Sequence, residues 1–438
     1  MLGSALNPAS VAIVGASDNP HKVGGRPILY LQRYGYRGAI YPINPARTIV
    51  QGLRAFSSLH ETPQAPELAI VAVAGEEAVN AVEACAARGV KVAVVMTSGF
   101  GETGADGLKK QKQMVDAAHR AGMRLIGPNC QGLANFATGV VANFSTIFNE
   151  LEARDGPVAI VSQSGANSQA IYTLLRDKGV YARHVHATGN EADVTVADLA
   201  AAVVSDPGVR LVLLYMEAIK DPATLASAAA EARRRSVPIV ALKAGRTASG
   251  QKAASTHTGA LASEDRVVDA FFERHGIWRA ADPHELVRAA ELYLSGRRPR
   301  GKRLVFISNS GASCVMAADY AEQHAIPLAA ISDRAKARLR EALPAFASLA
   351  NPIDMTGALL GNAGLLSAVL PIVGNDAQSD AAVLALPVAG TGYDIPRFAG
   401  DLAAFGERFN QPVAVAAPQA AVREAFAKAG IATFAREG

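Results

Sequence analysis

The amino-acid sequence predicts an α/β protein built as three doubly wound parallel-sheet domains. Three features carry that reading. Short apolar runs of about four to eight residues recur along the chain, each ends in Gly, Pro, Asn or Ser, and each is followed by an Ala-rich segment with helical spacing. Near-continuous apolar runs, as opposed to alternating ones, mark strands covered on both faces, which is how helices enclose a parallel sheet. At 438 residues, with roughly 150 residues per domain, three such units fit the length.

Taken in order, the first block supplies VAIVGAS (11–17), GAIYPINP (38–45), LAIVAVAG (68–75), KVAVVMTSGFGE (91–102) and RLIGPNCQG (124–132). The second supplies PVAIVSQSG (157–165), ARHVHATGN (182–190), VRLVLLYMEA (209–218) and PIVALKAGRT (238–247). KRLVFISNSG (302–311), PLAAIS (327–332), DAAVLALPV (380–388) and QPVAVAAP (411–418) form the third. Charge and Pro/Gly interrupt the pattern at LEARDGP, around Gly156, and at SGRRPRGK, Ser295 to Lys302. The expected domains are therefore 1–150, 151–298 and 299–438.

Composition narrows the class of partner. Lys+Arg 43 against Asp+Glu 39 gives a net charge of +4, and no basic run is interleaved with aromatics, so nucleic acid is not expected. Cys85, Cys130 and Cys314 are too few for a disulfide framework, and no charged segment followed by an apolar one opens the chain. A cytoplasmic location is the expectation. No apolar run approaches the ~20 residues of a membrane span, so no membrane partner is expected either.

In open parallel sheets ligands bind beyond the carboxyl ends of the strands, so the strand-end loops should carry the chemistry. The first, GASDNPHKVGGRP, has Gly15, Gly24 and Gly25 where backbone N–H groups could approach a phosphate at a helix start, although a plain helix-entry turn explains the same residues. Its spacing is not G-x-G-x-x-G, and PINP ends the second strand without an acidic residue for a ribose, which disfavours an NAD-dependent dehydrogenase. SQSGAN (162–167) opens a helix with Ser164, Gly165 and Ala166, which suits either an anion or an ordinary Ser N-cap. SNSGASC (308–314) has the same grammar.

Glu217 sits at the end of an apolar strand, where a carboxylate is costly unless it meets a polar cleft or a partner. A carboxylate there can hold one nitrogen of an imidazole protonated and leave the other as nucleophile. His257 is the candidate imidazole. It lies in RTASGQKAASTHTGALAS, a long run of small residues with no apolar period, which is normally either a solvated loop or a functional one. The nine histidines show no metal spacing, and no G-x-S-x-G or Walker sequence occurs.

With these residues in view, the chain resembles the NDP-forming acyl-CoA synthetase superfamily, in particular the alpha subunits of ADP-forming acetyl-CoA synthetase and of succinyl-CoA synthetase. STHTGALAS is similar to the phosphohistidine loop, SQSGA to the phosphate-binding helix start, and YMEAIKD to the strand-end glutamate of that family; IGPNCQG and NPIDMTG are further family-like stretches. The resemblance implies a Rossmann-like CoA-binding domain followed by two flavodoxin-like ligase domains. It implies an acid–CoA ligase working through an acyl phosphate and a phosphohistidine at His257, with Glu217 as the second catalytic residue and phosphate held at Ser164, Gly165 and Ala166. CoA is implied at Gly15, Ser17, Lys22, Val23, Gly24, Asn44, Pro45, Ala72, Val73, Ser98 and Phe100. ATP or ADP with Mg²⁺ is implied on an ATP-grasp subunit or fused domain, which is not visible in this chain, and a homodimer is compatible with the pattern. The alternative is a CoA-sensing regulatory module, such as those attached to protein acetyltransferases; members of that kind tend to lose the histidine. VAVAG, without a proline common in the third CoA loop, and SNSGA, less glycine-rich than its counterpart, depart from the family pattern.

Residues 247–263 hold few apolar anchors, so the sequence predicts weak amide protection there in hydrogen exchange. Protection matching that of the flanking strands in the free protein would contradict this reading.

Overall fold

The structure, a computed structural model, describes residues 2–252, 264–376 and 379–436. His257 lies outside the described residues. The chain forms two compact units, Met1–Ala290 and Glu291–Gly438, and both are α/β.

In the first unit the sheet nearest the N-terminus has five parallel strands, in the order Ala39–Ile43, Ser10–Val14, Leu68–Val71, Val92–Val95 and Arg124–Ile126. Its three central strands are almost wholly buried, as continuous apolar runs require. Pro42 sits in an edge strand, the position where a missing backbone N–H costs least. A second sheet runs Trp278–Arg279, Ile239–Lys243, Leu211–Met216, Val158–Ser162, Ala182–Ala187, Gly132–Asn135 and Val140–Asn143. Its first five strands are parallel and its last two form an antiparallel pair against Ala182–Ala187. Residues 132–143, which precede the interruption at Gly156, thus belong to the second sheet.

The two sheets of this unit share one core. Val11 and Ile13 from the first and Val161, Leu214 and Ala241 from the second lie in a single buried cluster. The carboxyl edges are tied by backbone hydrogen bonds: Asn190 N–H donates to Pro128 O, Ala192 N–H to Gly127 O and Val194 N–H to Leu125 O. Beside them Arg124 pairs with the buried Asp193 at 2.9 Å, and Thr195 with Asp198 forms a capping box for the helix Val196–Val204.

The second unit has five parallel strands in the order Ile353–Asp354, Leu304–Ser308, Ala381–Ala385, Val413–Ala416 and Ala432–Phe434. PLAAIS, read from sequence as a strand, makes only a single bridge at Leu328. Pro327 has no N–H to donate, and Asn351 takes over the ladder: its amide donates to Leu304 O (2.7 Å) and Ala329 O (3.0 Å) and its oxygen accepts from Phe306 N (3.0 Å). All three cysteines are free thiols, and among the described residues no helix is long and apolar enough to cross a membrane.

One buried polar chain bears on stability. Asp206 Oδ2 is 2.9 Å from His184 Nε2, and His184 Nδ1 is 3.1 Å from His186 Nε2. Burial holds His184 below the usual imidazole range, against the pull of Asp206, and holds the fully enclosed His186 well below it. The folded state therefore keeps both rings neutral where the unfolded chain takes up protons near pH 6.5, so folding stability falls as the pH drops below about 6.5. Each histidine contributes up to about 1.4 kcal/mol per pH unit until its folded-state pKa is reached. Denaturant titrations between about pH 5 and 7 check this: His186→Leu is expected to lose roughly half of the acid-linked slope, and a slope equal to that of the wild type would assign it elsewhere.

Candidate active site

Gly15, Ala72, Val73 and Asn44 meet where the first sheet reverses its order, between Ser10–Val14 and Leu68–Val71. A crevice at such a switch point is the usual ligand site of an open parallel sheet. Gly15 has φ +84°, and a Cβ on it would stand 2.7 Å from Val73 Cγ1. At Gly24 a Cβ would stand 2.1 Å from Gly15 O, so the two loops close on each other only as glycines. Asn44 donates through its side chain to Ala16 O at 2.9 Å and pins the second strand end to the first loop. Lys22, Val23, Pro45 and Ser98 are exposed around this crevice, and Ser17 is half-buried. Phe100 is completely buried in the core, so what it can offer a ligand is backbone. These features fit CoA: a bare glycine cradle, exposed apolar side chains and one lysine at its edge.

The loop 96–102 leads from this crevice to a cavity of about 680 Å³. Met96, Gly101 and Glu102 line one part of it; Ser164, Gly165 and Ala166 line another; Gln163, Asn190, Glu191, Glu217 and Lys220 are among its polar lining. The helix Gly165–Asp177 starts here. Ser164 caps it, its hydroxyl accepting from Asn167 N, which leaves the Gly165 and Ala166 N–H groups at the positive end of a thirteen-residue helix. A Cβ on Gly165 would stand 2.6 Å from Gln131 Cγ, so this turn has no room for a side chain.

Gln163 organises the polar lining. Its side-chain oxygen accepts from the backbone N–H groups of both Glu217 and Ala218, and its amide nitrogen donates to Ala218 O (2.8 Å) and to Glu191 Oε2 (2.6 Å). One neutral side chain therefore fixes the strand end that carries Glu217 and orients a buried carboxylate. Glu191 also accepts from Val196 N (2.6 Å) and Thr188 Oγ1 (3.0 Å). Burial nevertheless pushes its pKa up, and those hydrogen bonds and Lys220 only moderate the rise. For Glu102 the balance is reversed: burial raises it, but hydrogen bonds from Asn190 and Gly99 outweigh burial and hold it below the ordinary carboxylate range. Burial lowers Lys220, whose ammonium donates to Asn190 O at 2.6 Å and Glu191 O at 3.3 Å.

Cys130 also lines the cavity, but its thiol is 1% exposed, is bound to Ala187 O at 2.8 Å and is pushed up to about 12 by burial; it stays protonated and is no nucleophile. Lys243, one strand beyond Glu217, is almost fully buried, with its ammonium on Ala244 O. Among the described residues no cluster of His, Cys, Asp and Glu could hold a metal ion.

Of the residues singled out in the sequence, the structure brings Ser164, Gly165, Ala166 and Glu217 into one cavity and gathers Gly15, Gly24, Asn44, Ala72 and Val73 at one crevice. The reading missed Gln163, although it lies inside the quoted SQSGAN, and Lys220, although it lies inside YMEAIKD. Glu191 was missed too; φ +52° at this non-glycine residue marks it in the structure, with no counterpart in the sequence pattern.

Residues 9–135 match the model of a CoA binding domain, and residues 155–293 match that of a succinyl-CoA ligase like flavodoxin domain. Over 362 residues the chain is 34% identical to the alpha subunit of acetate–CoA ligase [ADP-forming] II of Pyrococcus furiosus, covering 82% of this chain and 77% of that one. It is 35% identical over 350 residues to acetate–CoA ligase [ADP-forming] I of Archaeoglobus fulgidus, covering 80% of this chain and 50% of that longer protein. The dinucleotide forming acetyl-coenzyme A synthetase 1 of Ca. Korarchaeum cryptofilum, solved in complex with phosphate and ADP, superposes with a TM-score of 0.87 at 28% identity, covering 100% of this chain and 94% of that one.

Replacing Gln163 by Leu strands the Glu217 and Ala218 N–H groups. The expected loss is about 2–4 kcal/mol of folding stability, at about 1–2 kcal/mol for each of these two part-buried groups left without a partner. Chemical denaturation measures it, and a change under about 0.5 kcal/mol would mean that this amide is not what fixes the strand end.

Proposed function

Since the chain belongs to the family of the ADP-forming acetate–CoA ligase alpha subunits, we propose that it is the acid-handling component of an acid–CoA ligase that forms acyl-CoA from a carboxylic acid, CoA and ATP, and runs the same steps in reverse. The other reading of the sequence, a CoA-sensing module, is not favoured, because the relatives are ligases. One observation supports the reading above all: Glu217 and the bare helix start Ser164–Ala166 line the same cavity, reached by the loop that leaves the CoA crevice.

In this reading the CoA-binding role falls to the first sheet, with Gly15, Ser17, Lys22, Val23, Gly24, Asn44, Pro45, Ala72, Val73, Ser98 and the backbone of Phe100. Phosphate attacks the thioester carbonyl of an acyl-CoA held there, the C–S bond breaks, and an acyl phosphate and CoA thiol result. The Gly165 and Ala166 N–H groups face the charge on the phosphoryl oxygens and stabilise it at no cost in reorganisation. The phosphoryl group then passes to one ring nitrogen of His257, the P–O bond breaking as the P–N bond forms and the carboxylate leaving. Glu217, its backbone set by Gln163, holds the proton on the other ring nitrogen so that the attacking one stays unprotonated. Delivery of that group to ADP, with Mg²⁺, is assigned to an ATP-grasp partner, whether a separate subunit or a fused domain.

Incubation of the chain with phosphate and a panel of acyl-CoAs, followed by intact mass at neutral to alkaline pH, tests the half-reaction. The wild type is expected to gain one phosphate, and His257→Ala none. Phosphate retained on His257→Ala would remove His257 from the mechanism.

A further inference from the structure

The chain that carries His257 leaves the second sheet at one strand end and returns at one helix start, and both stems converge on Arg279. Arg279 lies in the two-residue strand Trp278–Arg279, beside Ala241 of the strand Ile239–Lys243, and its side chain is 7% exposed. Its Nη1 donates to Asp269 Oδ1 at 2.6 Å, and its Nη2 donates to Asp265 Oδ1 and stands 3.5 Å from Lys243 O. Lys243 ends the departing strand, whereas Asp265 and Asp269 lie one turn apart in the returning helix Asp265–His275. Arg246, in the departing stem, places Nε 3.8 Å from the second oxygen of Asp265. The Asp265 carboxylate therefore stands between a guanidinium of the sheet and a guanidinium of the opposite stem. That helix start lacks a side-chain cap: Glu264 at the N-cap makes no such hydrogen bond, and the first buried residue of the helix is Val268.

We infer, building on the phosphohistidine reading, that Arg279 and Asp265 are positioning residues for His257: the pair holds the two stems of residues 247–263 together, against the strand end that carries Glu217. Lys243 is in register with Met216, the residue before Glu217, so a stem held at Lys243 O is held beside that strand end. Asp265 is the nearer anchor in sequence. The eight residues between it and His257 span at most about 29 Å, against fourteen residues and about 50 Å from Lys243, so the returning stem sets the tighter bound on where the imidazole can be. An imidazole tethered from a fixed stem meets the cavity at a higher effective concentration than one whose stem has come loose. Arg279 and Asp265 make and break no bond in the reaction; they act through His257.

Two measurements on the whole chain test this. Single-turnover phosphate uptake from phosphate and acyl-CoA is expected to slow about tenfold in Arg279→Gln and in Asp265→Asn, with the half-saturating acyl-CoA concentration unchanged. Arg279→Lys is expected to restore part of the rate, since a lysine can replace one of the two ion pairs but not the fork. The second readout needs no turnover. Spin labels on Leu108→Cys, a 55% exposed residue of the cavity lining, and on His257→Cys report the distance between them, the three native cysteines being buried. That distance distribution is expected to broaden when Arg279→Gln or Asp265→Asn is added. An unchanged distribution or an unchanged uptake rate in both variants overturns the assignment, and so does a slower uptake that comes with a raised half-saturating acyl-CoA concentration. Broadening in the variants with no phosphate taken up by the wild type would refute the phosphohistidine reading while upholding this one.

Discussion

The site depends on a short backbone bridge between two sheets. Three amides of the segment Asn190–Val194 donate to three carbonyls of the segment Leu125–Pro128, and Arg124 with Asp193 closes the end of that ladder. Parallel sheets present their loops at one edge, but nothing in either sheet alone dictates that two such edges should face one cavity. The bridge does so. It sets Asn129 and Cys130 of one strand-end loop beside Asn190 and Glu191 of the other, and it passes through Gly127, whose φ of +101° lets the chain turn while Val95 O lies close against it. The extra antiparallel pair, Gly132–Asn135 and Val140–Asn143, follows as a consequence: the chain leaves the bridge already alongside Ala182–Ala187 and simply adds to that sheet.

Within the cavity a neutral amide does what a charged side chain would do badly. Gln163 has two acceptors' worth of oxygen for the Glu217 and Ala218 N–H groups and two donors for Ala218 O and Glu191. A lysine could not accept, and a glutamate would confront Glu191 across less than 3 Å. The cost of this arrangement appears at Glu191, which burial shifts upward despite three hydrogen bonds. Lys220, whose ammonium donates to the Asn190 and Glu191 carbonyls, offsets that shift only in part.

How much of this was legible in the sequence follows from which interactions are local. The strands were, because period and composition are properties of five consecutive residues; so was the Ser164 cap, because a cap is read within four. Glu217 stood out because an acid at the end of LLYM is conspicuous against its own neighbours. Gln163 did not, since its partners lie 28 to 55 residues away and glutamine carries no signal of its own. PLAAIS failed for a related reason. Its apolar content suits a strand, but after two backbone hydrogen bonds with Leu304 the next ladder position, at Phe306, is occupied by the side chain of Asn351, some twenty residues on. The strands Trp278–Arg279 and Ile353–Asp354 are two residues long, below any pattern.

The same loop serves the crevice and the cavity, and this gives the two sites a common mechanical element. Thr97 Oγ1 donates to Val73 O at 2.9 Å on the crevice side, while Asn129 N–H donates to Thr97 O at 2.9 Å on the cavity side. Farther along, Glu102 accepts from Gly99 N and from Asn190, which belongs to the bridge. A ligand pressing on Val73 or Ser98 therefore acts on hydrogen bonds that end at Asn129 and Asn190, both of which line the cavity. Glycine at 99 and 101 keeps the loop narrow enough for that double duty: Gly99 takes φ +103°, and a Cβ on Gly101 would meet the Gln111 side chain at 2.7 Å. The crevice and the cavity lining are thus joined by one run of backbone, Thr97 to Glu102, whose hydrogen bonds reach Val73 at one end and Asn129 and Asn190 at the other.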